Sequence, residues 1–600
     1  MMTPRTVVTF LLSIFLVTGE ATAHTDVPDG WLTVAEASDF RATSSYDETM
    51  DFLRRVDGAS ASIHLGFFGR SGAGRLLPMV VVSSDGAFTP EEAIATGKPI
   101  VLLQSCIHAG EVDGKDASLI MLRDMVLGRL PIPEHTIVLF VPIFNADGHE
   151  RVSPFNRANQ NGPVEGMGFR ATANGINLNR DHMRAVTIEM RGLLDLVSRW
   201  RPHLHVDNHV TNGSDHGWIL TWMVAEEPVL SHPLDRWLDA TLPAVLEATS
   251  VAGHPNGPYV DLKDPTDPSQ GFTWLWTSPR LSTDYFALRN RPSILIEMHA
   301  HKPFRDRVQA NRAFLVELIE SVDADPGALV AAVVEAEAIT VRRGGPDAEP
   351  SDIVLRWKPS GGFDEVRWPA ARWSVKPSIV TGKPQVFFEE GVYEDIGVRW
   401  YHGQHADLVV PRPRGYLVLP GWPQIERLLT DHGLVARRLP EAIEVEVESI
   451  RVSDPVLGDV PYQGTTMVLD FEVSRQTERR TVPAGAVWVP ANQPDFEVAV
   501  QLFEPEAPDS LLRWGVLNTV FERKEYIGAQ QLAELADEML ADEDVRAAWE
   551  TSLEDAAFAA DALSRYLWWY RKTPFWDEQV GLLPVFRVMG LPLTPPIDDP

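Results

Sequence analysis

The sequence predicts an α/β domain built on a mixed sheet flanked by helices, followed by a C-terminal region that is β-rich and then mainly helical. Two observations carry the first part. Four short apolar runs between residues 99 and 298 alternate with stretches of helical spacing, and polar residues gather where each run ends. A third observation marks the change of region: RRGGPDAEPSD, 342–352, is rich in Gly, Pro and charge.

In chain order, residues 1–23 read as a signal peptide. Arg5 is the basic start, Val7 to Val17 the apolar stretch, and Ala21-Thr22-Ala23 the small-residue cleavage site. That stretch falls short of the roughly 18–20 apolar residues that span a bilayer, so an exported product, periplasmic or secreted, without a membrane span is expected. Residues 24 to about 98 form an entry region, with helical spacing over Tyr46–Val56 and a turn then a strand in FFGRSGAGRLLPMVVVSSD. The runs PIVLLQS (99–105), TIVLFVPIF (136–144), HLHVDNHV (203–210) and SILIEM (293–298) are the expected strands. Lys115–Leu127, Met183–Arg199 and Val308–Val322 are the expected helices. The α/β region therefore covers 24–325, a helix and linker 326–352, and an accessory region 353–600. That last region is β-rich to about 505, holds one strand–helix–strand unit in YLVLPGWPQIERLLTDHGLVARRL, and turns helical from about 527.

Composition narrows the function. With 53 basic and 84 acidic side chains the net charge is −31, which repels phosphate backbones, so no nucleic-acid partner is expected. Cys106 is the single cysteine, so no intrachain disulfide can form, and it reads as a small buried residue at a strand end.

The strand ends hold the chemistry. Ligands in an open α/β sheet bind at the carboxyl ends of strands. After the first run comes HAGE, with His108 and Glu111 three positions apart. Among 17 histidines, about one such spacing arises by chance, so the pair needs context. The context is there: the second run is followed by NADGHER, the third ends on His209 and the fourth delivers Glu297. A catalytic zinc takes three protein ligands and keeps one position open. His108, Glu111 and one histidine of the third strand supply two imidazoles and a carboxylate. His203, His205, Asp207 and His209 share parity on that strand. His209, at its end beside a Gly/Ser turn, is preferred as the ligand, with Asp207 or His205 left to orient it. Glu297, at the end of an apolar strand, is the candidate general base. Arg157 in NRANQNG is placed to stabilise an oxyanion, with Arg170 a rival, and Asn179 and Arg180 in NLNRD to grip a carboxylate.

Taken in order, HAGE (108–111), NADGHER (145–151), NRANQNG (156–162), NLNRD (177–181), DNH (207–209) and ILIEMH (294–299) resemble the zinc carboxypeptidase family, the carboxypeptidase A-like metallopeptidases. The resemblance implies one Zn2+ per chain and hydrolysis of the peptide bond next to a free C-terminal carboxylate, on a peptide or amide substrate. It implies His108, Glu111 and His209 as zinc ligands, Glu297 as catalytic base, Arg157 as the carbonyl-polarising arginine and Asn179 with Arg180 as the carboxylate clamp. For the family's tyrosine over the site, Tyr285 is the choice. Residues beyond about 330 lie outside the resemblance and suggest an accessory part that covers the cleft or binds a polymer. Two other functions are compatible with the same residues: a zinc amidase or deacylase acting on acyl-amino acids or cell-wall peptides, and a non-catalytic peptide binder. Retention of Glu297 speaks against the latter.

Overall fold

A computed structural model describes residues 27–590, apart from 212, 260, 275 and 276. The expected signal peptide lies outside the described residues. Among the described residues no helix is long and apolar enough to cross a membrane.

Ten strands precede residue 300: β1 (Ile63–Arg70), β2 (Leu76–Val82), β3 (Ile100–Ser105), β4 (Ile137–Val141), β5 (Leu204–Val210), β6 (Leu220–Val224), β7 (Asn256–Pro258), β8 (Asp261–Leu262), β9 (Phe272–Thr273) and β10 (Ser293–Met298). Eight of them make one mixed sheet in the order β1-β2-β4-β3-β5-β10-β6-β7. Its centre, β4-β3-β5-β10, is parallel, and these are the four strands expected from the apolar runs. Every residue in them is buried, because helices cover both faces and leave no side for water. The entry region is part of the sheet: β1 and β2 pair antiparallel with each other, and β2 with β4.

One face carries the helices Tyr46–Ala59, Asp113–Val126, His232–Val251 and Phe304–Ala324. Ser45 and Glu48 close a capping box on the first of these. Pro326–Arg343, the helix expected ahead of the linker, joins the same face and buries Leu329, Val333 and Ala336 in its core. Helix Asp113–Val126 presses close to β5. A Cβ on Gly114 would stand 2.5 Å from Asn208 Cβ, so only glycine fits there.

From β3 the chain goes to β4 on one side, then returns as β5 on the other. Such a reversal opens a crevice at the carboxyl ends of β3 and β5. Residues 106–112 and the end of β5 line it.

The C-terminal region holds β11 (Asp352–Pro359), β12 (Phe363–Pro377), β13 (Pro384–Tyr401), β14 (Gln404–Pro411), β15 (Gly415–Val418), β16 (Arg437–Arg438), β17 (Ile443–Leu457), β18 (Val468–Val482), β19 (Val487–Pro490) and β20 (Val585–Val588). As expected it is β-rich and then helical, with β15, helix Pro423–Asp431 and β16 as the strand–helix–strand unit. After the helices between Ala529 and Tyr570 the chain re-enters a six-stranded sheet as β20, between β15 and β17. The long hairpin β12-β13 continues through β9 and β8 into a four-stranded sheet, so strands of both regions share it. The apolar core is shared too: Leu102, Met190 and Tyr285 of the first region pack in one cluster with Tyr416, Val418 and Phe496 of the second.

Candidate metal centre

The loop leaving β3 turns sharply at Cys106, whose φ of +59° lies in the left-handed region. Its thiol is buried and burial pushes it up to about 12, which fits a structural residue. Two residues on, the turn closed by the Glu111 N–H on the His108 carbonyl (2.9 Å) points both side chains into the crevice. His209 meets them from the end of β5. His108 Nδ1 lies 3.1 Å from Glu111 Oε1, His209 Nδ1 lies 2.8 Å from Glu111 Oε2, and the two Nδ1 atoms are 3.2 Å apart. One ligand atom from each of the three buried residues lies within 4.8 Å of the others.

The far side of each ring explains why these atoms face inward. His108 Nε2 lies 3.2 Å from Asn177 Oδ1, and His209 Nε2 lies 2.9 Å from Asp207 Oδ2. Asp207 in turn accepts from Gln104 Nε2 (3.1 Å) and Ser282 Oγ (2.6 Å). A ring that gives its Nε2 proton to an oxygen presents a lone pair at Nδ1. Two such lone pairs and a carboxylate then converge on one point, an arrangement that a cation satisfies. Burial drives His108 down to about 3 despite Glu111, which keeps the imidazole neutral and ready to ligate. Burial favours a protonated Glu111, but Arg157 and His108 hold its carboxyl well below the usual range. For His209, burial opposes the charged form, yet Asp207 and Glu111 on either side push it well above its ordinary value. Two imidazoles and a carboxylate suit Zn2+.

Glu297 ends β10 directly opposite His209 in the register. It is buried, its Oε2 has no hydrogen-bond partner among the described residues, and it lines a cavity of about 250 Å³ with His108, Glu111, Arg157, Arg170 and Tyr259. Burial pushes its carboxyl up to about 8, Glu111 adding to the rise while His209 and the two arginines oppose it.

The other expected residues fall unevenly. Arg157 reaches the cavity but is committed: Nη1 pairs with Glu111 Oε1 at 2.7 Å, Nη2 donates to the Val210 carbonyl and Nε to Gln160 Oε1, both at 3.1 Å. Arg170 is the freer one, its Nη1 3.5 Å from Glu111 Oε1 and its side chain 41% exposed against 13% for Arg157. Asn179 Nδ2 lies 3.4 Å from His209 Nε2, and Arg180 Nη1 donates to the Asn179 carbonyl at 2.5 Å. Neither lines the cavity.

Tyr285 is the correction. It sits fully buried in helix Ser282–Leu288, its hydroxyl 2.8 Å from His432 Nδ1 and accepting from Arg289 Nη1 at 2.9 Å. That side of the helix faces the core shared with the C-terminal region, away from the crevice. Tyr259, just past β7, lines the cavity instead, and burial followed by Glu297 and Glu111 pushes its hydroxyl well above the ordinary value. Sequence reasoning missed it, as it missed Asn177. An aromatic after a Gly-Pro strand end was the only signal for Tyr259; for Asn177, its place two residues before Asn179 was the only one.

Residues 49–199 match the family model for zinc carboxypeptidases. The chain carries a zinc carboxypeptidase domain. The match includes His108 and Glu111; His209 and Glu297 lie beyond it and are joined to them by the sheet. Zn2+ is the ion this family uses, and the domain makes the chain a metallohydrolase of the carboxypeptidase type. Among similar proteins, carboxypeptidase 2 of Trichophyton rubrum is 23% identical over 503 residues, covering 80% of this chain and 85% of the relative. Carboxypeptidase 2 of Trichophyton tonsurans is 23% identical over 508 residues, with the same two coverages of 80% and 85%. Carboxypeptidase A from Helicoverpa armigera, a solved structure, is 18% identical with a TM-score of 0.36, over 49% of this chain and 75% of that one.

Proposed function

We propose that this carboxypeptidase domain removes C-terminal residues from peptides outside the cytoplasm, with His108, Glu111 and His209 as its zinc ligands and Glu297 as its base. The observation that carries the reading is the Glu297 carboxyl, whose Oε2 has no hydrogen-bond partner among the described residues, lining the same cavity as His108 and Glu111 and paired in register with His209. Zinc, when bound, supplies a Lewis acid that polarises the scissile carbonyl and makes water more acidic. The chain does the rest. Glu297 takes a proton from the attacking water at its carboxylate and delivers it to the leaving amine.

Arg157 holds the Glu111 carboxylate in place, while the freer Arg170 faces the carbonyl oxygen as negative charge develops on it. Asn179 and Arg180 hold the terminal carboxylate of the substrate, as the family resemblance implies. Asp207 and Asn177 keep the ring nitrogens of both histidines aimed at the ion. Export rests on the pattern of residues 1–23.

The test is a peptide library digested with and without chelator and read by mass spectrometry. Shortened C-termini in the untreated sample alone are expected. Turnover of acyl-amino acids with no peptide shortened would replace this function by the amidase reading, and binding without turnover by the peptide-binder reading.

A further inference from the structure

We infer that the C-terminal region is a working part of the catalytic centre, and that Tyr393 on β13 is a positioning residue. Through Asp215, Tyr393 fixes the two loops that carry the chain away from His209 and Glu297. The inference rests on the proposed roles of those two residues.

The hairpin β12-β13 docks on the first region at three places. Trp400 and Tyr401 pair in parallel with Phe272 and Thr273 of β9. The Gly217 N–H donates to the Pro369 carbonyl at 2.7 Å, next to a bridge between His216 and Ala370. A Cβ on Gly217 would stand 2.7 Å from Pro369 Cβ, so the approach is as close as a backbone allows.

The third place is polar. Asp215, on the loop after β5, is buried, and a buried carboxylate needs donors. Its Oδ1 accepts from the Tyr393 hydroxyl at 3.2 Å and faces His299 Nε2 at 3.0 Å; its Oδ2 lies 4.0 Å from His301 Nδ1. His299 and His301 lie on the loop after β10, two and four residues beyond Glu297. His299 Nδ1 accepts the His301 N–H, and its Nε2 also lies 3.1 Å from the His216 amide nitrogen. Lys302 completes the tie, with Nζ 3.9 Å from the centre of the Tyr393 ring and in contact with its hydroxyl. One tyrosine of the C-terminal region thus touches both loops.

These loops border the reaction space. Thr211 lines the cavity, its N–H donates to the Met298 carbonyl (2.9 Å) and its Oγ1 accepts from the Ala300 N–H (3.0 Å). Asn159 lines the cavity as well, and it lies with His301 beside Gly213: a Cβ added there would stand 3.2 Å from Asn159 Cβ and 3.3 Å from His301 Nε2. A shift of the 299–302 loop therefore moves the end of β10, and with it Glu297 relative to the ligands. Displacements of about 1 Å in a catalytic group cost up to about 100-fold in rate.

Tyr393→Phe removes the hydroxyl and keeps the ring over Lys302. The expected result is a fall in kcat of about five- to tenfold on a peptide substrate with KM within about twofold. Zinc content and Tm should stay at the wild-type values. Asp215→Asn should act through the same tie, so the double variant should be no slower than the slower single one. Hydrogen exchange of 211–217 and 299–302 should speed up in Tyr393→Phe. Unchanged kcat, or a lowered Tm with unchanged kcat, would overturn the positioning role. If the wild-type chain shortens no peptide, the proposed function fails while exchange still decides the tie: faster exchange in both loops upholds it, and unchanged exchange refutes it.

Discussion

The loop leaving β3 and the loop leaving β4 begin at the same edge of the same sheet, and both carry polar motifs, yet only one builds a site. In NADGHER every group is used locally. Asp147 accepts from Ser71 Oγ (2.7 Å), the Ala73 N–H (2.8 Å) and Arg75 Nη1 (2.7 Å), fastening the β1-β2 turn. His149 lies 3.1 Å from Lys115 Nζ and 2.8 Å from Glu150 Oε1. At HAGE the groups that meet are alike: the imidazole nitrogens of His108 and His209 and the Glu111 carboxylate face one point, with Arg157 and the Val210 N–H bonded to the carboxylate from the side. Polar residues that satisfy one another hold a fold together, whereas electron-rich atoms forced together hold a cation.

The contrast can be broken by experiment, the largest effect first. His108→Ala should lose zinc and more than about 1,000-fold in kcat/KM, while His149→Ala should keep zinc and lose stability, both seen by metal analysis with kinetics. Glu297→Gln should keep zinc and lose a comparable factor in kcat, because the ion stays while the proton carrier goes. Zinc lost along with activity would move Glu297 into the ligand set. Asp147→Ala should cost about 2–3 kcal/mol in urea unfolding, since it strips three donors of a buried acceptor, with zinc content unaltered.

A pH effect sharpens the reading of Glu297. Burial raises its carboxyl from an ordinary 4.5 to about 8 in the folded chain. The folded state therefore holds this proton more tightly than the unfolded one, and the resulting stability is full below about 4.5 and lost as pH rises through about 8. Chelator-treated protein should lose stability over that window, and Glu297→Gln should flatten the loss. The smallest effect belongs to Tyr285→Phe, expected to cost about 1 kcal/mol of stability through its lost hydrogen bonds and to leave peptide turnover within about twofold.

Much of the catalytic region was legible because local signals agreed. The parallel strands are continuous apolar runs that end where polarity begins, so their positions follow within one to three residues. His209 could be preferred over His203 and His205 by its place at a strand end. The rest depended on distant packing. Tyr285 is aromatic and near Glu297 in sequence, but a helix turns it toward His432, almost 150 residues onward. Tyr259 reaches the cavity only because β6 and β7 carry the chain out and back. No composition shift shows that β9 would pair with β13, or that β20 would return to β15 across the helices, so the apparent boundary near 350 hides a shared sheet and a shared core. Between Arg157 and Arg170 the motif context chose one, while the ion pair with Glu111 favours the other for contact with substrate.

The most direct measurement is anomalous scattering at the zinc edge from crystals grown with zinc. A single peak within about 2.0–2.2 Å of His108 Nδ1, His209 Nδ1 and the Glu111 carboxylate is the predicted result. No peak there, or one only at the exposed cluster of Glu227, His232 and Asp235, would contradict the account.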